Sequence, residues 1–261
     1  MRPHHKKAIQ KLKETYECDP RYLSLIIVGS VAAGNEHDTS DVDHILVVTD
    51  EEFEQRKMSE SVHYWTPDFC DYPGGYVEGK IVDLKFIEDV SIRGSEPARV
   101  QFAGAKVVFS KIIGLDKTVE QIALYQEQER EGKIRTFYAH MKVLRDYLNY
   151  GEQNNDRYIA IRAASGIALF AGRLILAHNR ILYPYHKWFT RQVKNAPEKP
   201  PEFDKIFDTF LRNPIIQNCD ELCKCIVDFM HLDKYEQGFI SRFVMDTEWN
   251  WRHGRGPVED W

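Results

Sequence analysis

The chain has 261 residues, of which 43% are hydrophobic and 29% charged, with a mean hydropathy of −0.48. That apolar content is enough for one large core or two modest ones, and it excludes a mostly disordered chain. A net charge of −5 argues against a broad electrostatic grip on nucleic acid, so no stable nucleic-acid partner is expected.

Residues 5–18 place Ile9, Leu12 and Tyr16 at helical spacing, and Asp19-Pro20 ends that helix. The apolar run LSLIIV (23–28) reads as a buried strand that stops at Gly29. Residues 31–37 are small and fit one or two helical turns. Residues 41–49 (DVDHILVVT) read as a second strand, and 50–57 as a polar helix or loop. Residues 58–80 look irregular and aromatic, with turns at Pro73-Gly74-Gly75 and Glu78-Gly79-Lys80. A third strand is expected over 81–87 (IVDLKFI) and a fourth over 105–109 (AKVVF). No apolar run approaches the roughly 20 residues that span a bilayer, and the first residues carry no hydrophobic signal segment. The expectation is a cytoplasmic protein without a membrane partner.

The period becomes helical after residue 116. Ile134, Phe137, Met141, Leu144 and Leu148 form one stripe. A second helix, about 156–181, is apolar nearly all round at ASGIALFAG and reads as the centre of a bundle. The Pro-rich stretch NAPEKPPEF precedes two or three further helices. The fold class expected is therefore α+β: a small mixed-sheet domain over 1–116 followed by an all-α helical bundle domain over 117–261. Net charge is −6 over the first and +1 over the second. The acidic first part suits a cation site better than a bare phosphate site.

Five cysteines are an odd number, consistent with free thiols in a reducing compartment. Cys219 and Cys223 share a helix face while Cys225 points elsewhere, and no second close pair completes a zinc site. These cysteines read as buried packing residues.

The informative stretch is Val28-Gly29-Ser30-Val31-Ala32-Ala33-Gly34 followed by Ser40-Asp41-Val42-Asp43. Gly29 lets a ligand approach the backbone closely. Ser30 offers a hydroxyl, and the amides that follow open a helix, which together describe a phosphate site. Strand alternation puts Asp41 and Asp43 on one face. Two such charges about 4 Å apart repel by about 4 kcal/mol at an effective dielectric of 20, so a cation, a shared proton or full solvation must relieve them. Oxygen ligands favour Mg²⁺ or Mn²⁺. Asp83 interrupts the apolar run IVDLKFI, where a lone carboxylate is costly. If its strand lies beside that of Asp41 and Asp43, three carboxylates converge as ligands for a two-metal phosphoryl-transfer site.

Gly29-Ser30, Gly34, Asp41-x-Asp43 and the later Asp83 resemble the nucleotidyltransferase superfamily of the DNA polymerase beta type, over about the first 110 residues. The two-domain plan resembles the antibiotic nucleotidyltransferases for aminoglycosides and lincosamides and related bacterial enzymes. The resemblance implies that Gly29 and Ser30 hold nucleotide phosphates, that Asp41 and Asp43 bind two Mg²⁺ ions, and that Asp83 joins one metal and helps activate the acceptor hydroxyl. It implies ATP or another nucleoside triphosphate as co-substrate and a small-molecule acceptor, with monomer and homodimer both open. His44 departs from the aliphatic residue usual there, and alternation turns it away from the metals, so a structural role is expected.

In the helical part, Tyr183-Pro184-Tyr185-His186-Lys187-Trp188 offers rings for stacking and a lysine for phosphate, making Lys187 a nucleotide-binding candidate. Arg157 and Arg162 are lesser candidates, and Arg162 and Arg173 can snorkel. Glu127, Glu129 and Glu131 could supply a base but read as a solvated face. Asp68 and Asp71, in an aromatic loop, would suit a cationic acceptor. Trp249, Trp251 and Trp261 are expected to pack back on the body. Two rivals to small-molecule transfer are AMP transfer to a protein side chain, as in toxin–antitoxin relatives, and a non-catalytic nucleotide sensor. Neither half is basic enough for a template polymerase.

Overall fold

A computed structural model describes residues 1–254 and divides the chain into two compact units, 1–124 and 125–261. The first unit begins with α1 (Pro3–Tyr16), whose proline sits in the first turn, where its missing N–H costs nothing. It continues through β1 (Tyr22–Ile27), the short α2 (Gly29–Ala33), β2 (Val42–Val48) and α3 (Asp50–Met58). The Thr49 hydroxyl caps α3 by accepting from the Glu52 amide. Next come β3 (His63–Thr66), β4 (Val77–Asp83), α4 (Leu84–Arg93), α5 (Glu96–Val100), β5 (Lys106–Ser110) and α6 (Leu115–Ile122).

The five strands form one mixed sheet in the order β3-β4-β2-β1-β5. β1 runs antiparallel to β2 and to β5, β3 antiparallel to β4, and β2 parallel to β4. Because β2 and β4 are parallel, their N-terminal ends lie side by side, with Asp43 opposite Glu78 and Val48 opposite Asp83. The antiparallel β1 delivers its C-terminal end to the same corner, with Ile27 opposite His44. One sheet face packs on α1 through Ala8, Ile9 and Leu12 with Leu25, Ile27, Leu46 and Val48. The other packs on α4 and α6 through Ile26, Val47, Ile87, Leu115, Val119 and Ile122.

Two local expectations are corrected. The stretch read as irregular over 58–80 contains β3 and the start of β4, so Glu78-Gly79-Lys80 is strand rather than turn. The strand expected over 81–87 ends at Asp83, and Leu84 begins a helix. The sheet unit also extends beyond the expected boundary at 116, because α6 belongs to it. Arg99 explains why. Its guanidinium is buried, 1% exposed, and donates to the carbonyls of Gly94 (2.9 Å), Ser91 (3.1 Å) and Ile122 (3.3 Å). One side chain thus ties the end of α4 to the end of α6.

The second unit comprises α7 (Arg130–Gln153), α8 (Arg157–His178), α9 (His186–Asn195), α10 (Phe203–Arg212), α11 (Ile216–Met230) and α12 (Phe239–Thr247). The stripe read from sequence is buried as expected: Ile134, Phe137, Met141, Leu144 and Leu148 face the core. Contrary to the expectation that nothing approaches bilayer length, α8 has 22 residues and is apolar enough to cross a membrane by length and composition. Its Ala163, Ile167, Ala171, Leu174 and Ile175 are at most 1% exposed and belong to the core shared with α7 and α11, which accounts for its composition as a bundle core. Cys219 and Cys223 are buried with their sulfurs 3.9 Å apart, and the Cys225 thiol donates to the Leu222 carbonyl. Trp249 and Trp251 stay 50% and 67% exposed rather than packing back, and Trp261 lies outside the described residues.

Arg99→Met should leave three inward carbonyls without their donor and lower the stability of the first unit by about 3 kcal/mol, read from the urea midpoint. A change below a few tenths of a kcal/mol would remove Arg99 as the tie between α4 and α6.

Candidate functional site

The corner where β1 ends and β2 and β4 begin carries three carboxylates. Asp41 immediately precedes β2, Asp43 is its second residue, and Glu78 is the second residue of β4. Each offers an oxygen within 4.8 Å of the others, and all three are half-buried. Their donor chemistry is oxygen alone, with no thiolate or imidazole in the set, which fits a hard divalent cation such as Mg²⁺ or Mn²⁺.

The surrounding residues fix this geometry. Gly29 has φ +69°, and a Cβ there would lie 2.1 Å from Asp43 Oδ2. The glycine is thus required twice, for its left-handed backbone and for the carboxylate resting on it. The Val28 amide donates to the Asp43 carbonyl at 3.0 Å, holding the turn to β2. The Asp41 carboxylate beside the Tyr76 hydroxyl pushes the Tyr76 pKa up. The Ser40 carbonyl, one peptide before Asp41, accepts from Tyr72 Oη (2.7 Å) and from His5 Nε2 (3.0 Å). His63 Nε2 lies 3.0 Å from Glu78 Oε1.

Of the residues singled out in the sequence, Gly29, Asp41 and Asp43 meet here, and Ser30 follows Gly29 as a half-exposed residue at the start of α2. Asp83 does not. It stands at the opposite end of β4, five residues beyond Glu78 and so roughly 16 Å along the strand, and it caps α4 by accepting from the Phe86 amide at 2.8 Å. Asp83 is thereby corrected from metal ligand to helix cap, and the third carboxylate is Glu78. His44 has the structural role expected of it. Its Nδ1 donates to the Val42 carbonyl (3.4 Å) and its Nε2 accepts from Tyr64 Oη (2.6 Å), while burial lowers its pKa to about 4. The ring lies over Gly79, where a Cβ would come within 2.7 Å of His44 Nε2.

In the second unit, Lys187 is exposed near the start of α9, its ammonium 5.5 Å from the Trp188 ring centroid. The Arg173 guanidinium lies over the rings of Phe137 (4.3 Å) and Tyr183 (4.6 Å), a cation–π packing role. Glu127 pairs with Arg180 and Glu129 with Lys133, each at 2.8 Å, and Glu131 bonds Tyr235, in keeping with a charged surface. In the first unit, Asp68 accepts from the Thr66 hydroxyl at 2.7 Å and Asp71 pairs with Lys7 at 3.5 Å.

Comparison with solved structures finds a nucleotidyltransferase-like protein from Exiguobacterium sibiricum, with a TM-score of 0.51 and 14% sequence identity, covering 96% of this chain and 81% of that one. The fold is nucleotidyltransferase-like. No protein-family model matches the chain, and no curated protein matches it. The likeness thus shows the architecture, a mixed-sheet unit followed by helices.

Asp83→Ala should cost about 1 kcal/mol through loss of its cap and leave Mn²⁺ affinity, measured by calorimetry, unchanged. Gly29→Ala should displace the Asp43 carboxylate and weaken Mn²⁺ at least about tenfold, the loss of roughly one charge-assisted contact. Mn²⁺ binding that follows Asp83 and ignores Gly29 would reverse this assignment.

Proposed function

We propose that the chain is a Mg²⁺-dependent nucleotidyltransferase that moves a nucleoside monophosphate, AMP from ATP, onto a hydroxyl of a small-molecule acceptor. The observation that carries this reading is the convergence of Asp41, Asp43 and Glu78, with ligand oxygens within 4.8 Å of one another, beside the Gly29-Ser30 turn. Asp41, Asp43 and Glu78 are the residues that would hold two divalent ions. Bound there, the ions would supply Lewis-acid charge against the α-phosphoryl oxygens.

The chain's own residues supply the rest. Gly29 leaves room for the Asp43 carboxylate. Gly29 and Ser30 are assigned to phosphate contact. In the reaction the acceptor oxygen forms a bond to the α-phosphorus. The bond from that phosphorus to the bridging oxygen breaks, pyrophosphate leaves with its electron pair, and the hydroxyl proton passes to water. Aminoglycosides and lincosamides are the first acceptors to examine, because the two-domain plan resembles enzymes that modify them.

Pyrophosphate release, assayed with ATP and Mg²⁺ across such acceptors, tests the reading. Asp41→Asn, Asp43→Asn and Glu78→Gln should each lower kcat by about 10²-fold or more while the urea midpoint stays near wild type. An undiminished rate in Asp43→Asn would sink the assignment. Transfer of label from ATP to a protein band in lysate would move the acceptor from small molecule to protein.

A further inference from the structure

A cavity of about 120 Å³ lies beside the acidic cluster, lined by Val28, Gly29, Asp43, Glu78, Lys80 and Gln101 among others. Lys80 is the cationic member of that set. It sits two residues beyond Glu78 on β4, so strand alternation puts both side chains on one sheet face. Lys80 is exposed, and its Nζ donates to the Gln101 side-chain oxygen; among the described residues it forms no ion pair.

Gln101 is itself anchored, its Nε2 donating to the Pro97 carbonyl at 3.2 Å. That bond fixes which end of the amide faces Lys80. A neutral acceptor thereby holds the ammonium in place without cancelling its charge, and a lysine has two further N–H donors to offer. The cavity lining thus includes the Gly29 backbone, two carboxylates suited to divalent ions, and one cation held by a neutral amide. That combination fits a group that is anionic yet binds through cations, as a phosphoryl group does.

We propose that Lys80, held by Gln101, is the direct cationic contact for the phosphoryl group transferred at this corner, donating to a non-bridging oxygen of the nucleotide α-phosphate. The inference rests on the nucleotidyltransferase reading and adds to it a residue that motif reasoning does not supply. Lys80 acts on the nucleotide, not on the metals. Removing its charge should therefore weaken nucleotide binding while leaving Mn²⁺ binding intact or tighter, since a like charge near the ions is lost.

Calorimetry on the full chain separates the two claims. Mn²⁺ alone is titrated first, then ATP and AMP in saturating Mn²⁺, for wild type, Lys80→Ala, Lys80→Arg and Asp43→Asn. The expected result is an ATP affinity at least about tenfold weaker in Lys80→Ala, as for the loss of one charged hydrogen bond, with Mn²⁺ affinity no lower than wild type. Lys80→Arg should recover part of the loss, and AMP should show the same loss as ATP. A Lys80→Ala protein that binds ATP like wild type overturns the role of Lys80 and leaves the nucleotidyltransferase reading standing. A loss confined to ATP and absent with AMP overturns the α-phosphate assignment. If wild type binds no ATP in the presence of Mn²⁺, the nucleotidyltransferase reading falls and this inference falls with it.

Discussion

Three negative charges held at one corner of a sheet are the constraint on which the rest of this site depends. The parallel, in-register pairing of β2 and β4 puts Asp43 beside Glu78, and Asp41 stands two residues before Asp43. Like charges this close repel one another, and a cation, a shared proton or water must relieve them. The surrounding chain stiffens the cluster instead of letting it spread. Gly29 admits Asp43, and His5 and Tyr72 both donate to the carbonyl just before Asp41. Such convergence on a charge-repulsive arrangement is understandable as a cation site prepared in advance.

The sequence made part of this corner legible and hid the rest for identifiable reasons. Gly29 after an apolar strand, and Asp41 and Asp43 two apart, are local signals, and local geometry alone places them. Glu78 is not local. It joins the cluster through strand pairing with Asp43, 35 residues earlier in the chain, and its neighbours Gly79 and Lys80 imitate a turn. Gly79 is in fact the gap that admits the His44 and Tyr64 rings on the opposite face. Asp83 misleads because a capping aspartate between a strand and an amphipathic helix makes one apparently continuous apolar run. The clue available was the helical spacing of Leu84, Ile87 and Val90 after Asp83. Parallel pairing supplies a second clue, since it joins like ends. A partner for residues at the start of β2 must come from the start of β4.

The helical unit was easier to read, because a 3.6-residue period is a property of one segment and needs no partner to be seen. The buried stripe of α7 and the apolar centre of α8 followed directly. The domain boundary did not, since it is set by Arg99 reaching the last turn of α6, an interaction no pattern of hydrophobicity announces. Burying a guanidinium on three carbonyls is costly unless each donor is satisfied, and that requirement binds α6 to the sheet unit.

The same charge arithmetic constrains how a nucleotide could bind. A triphosphate approaching three carboxylates meets repulsion from all of them, and the single lysine in the cavity cannot offset it. Divalent ions at the carboxylates reverse the sign of that field, so under the proposed reading metal and nucleotide bind with positive coupling. By linkage the coupling is reciprocal: whatever factor the metal adds to nucleotide affinity, the nucleotide adds to metal affinity. Lys80 enters this balance with the opposite bias. Under the same proposal it favours the phosphoryl group and, as a like charge, disfavours the ions slightly. A lysine neutralised by a carboxylate could not do this, which gives a physical reason for its tether being the amide of Gln101.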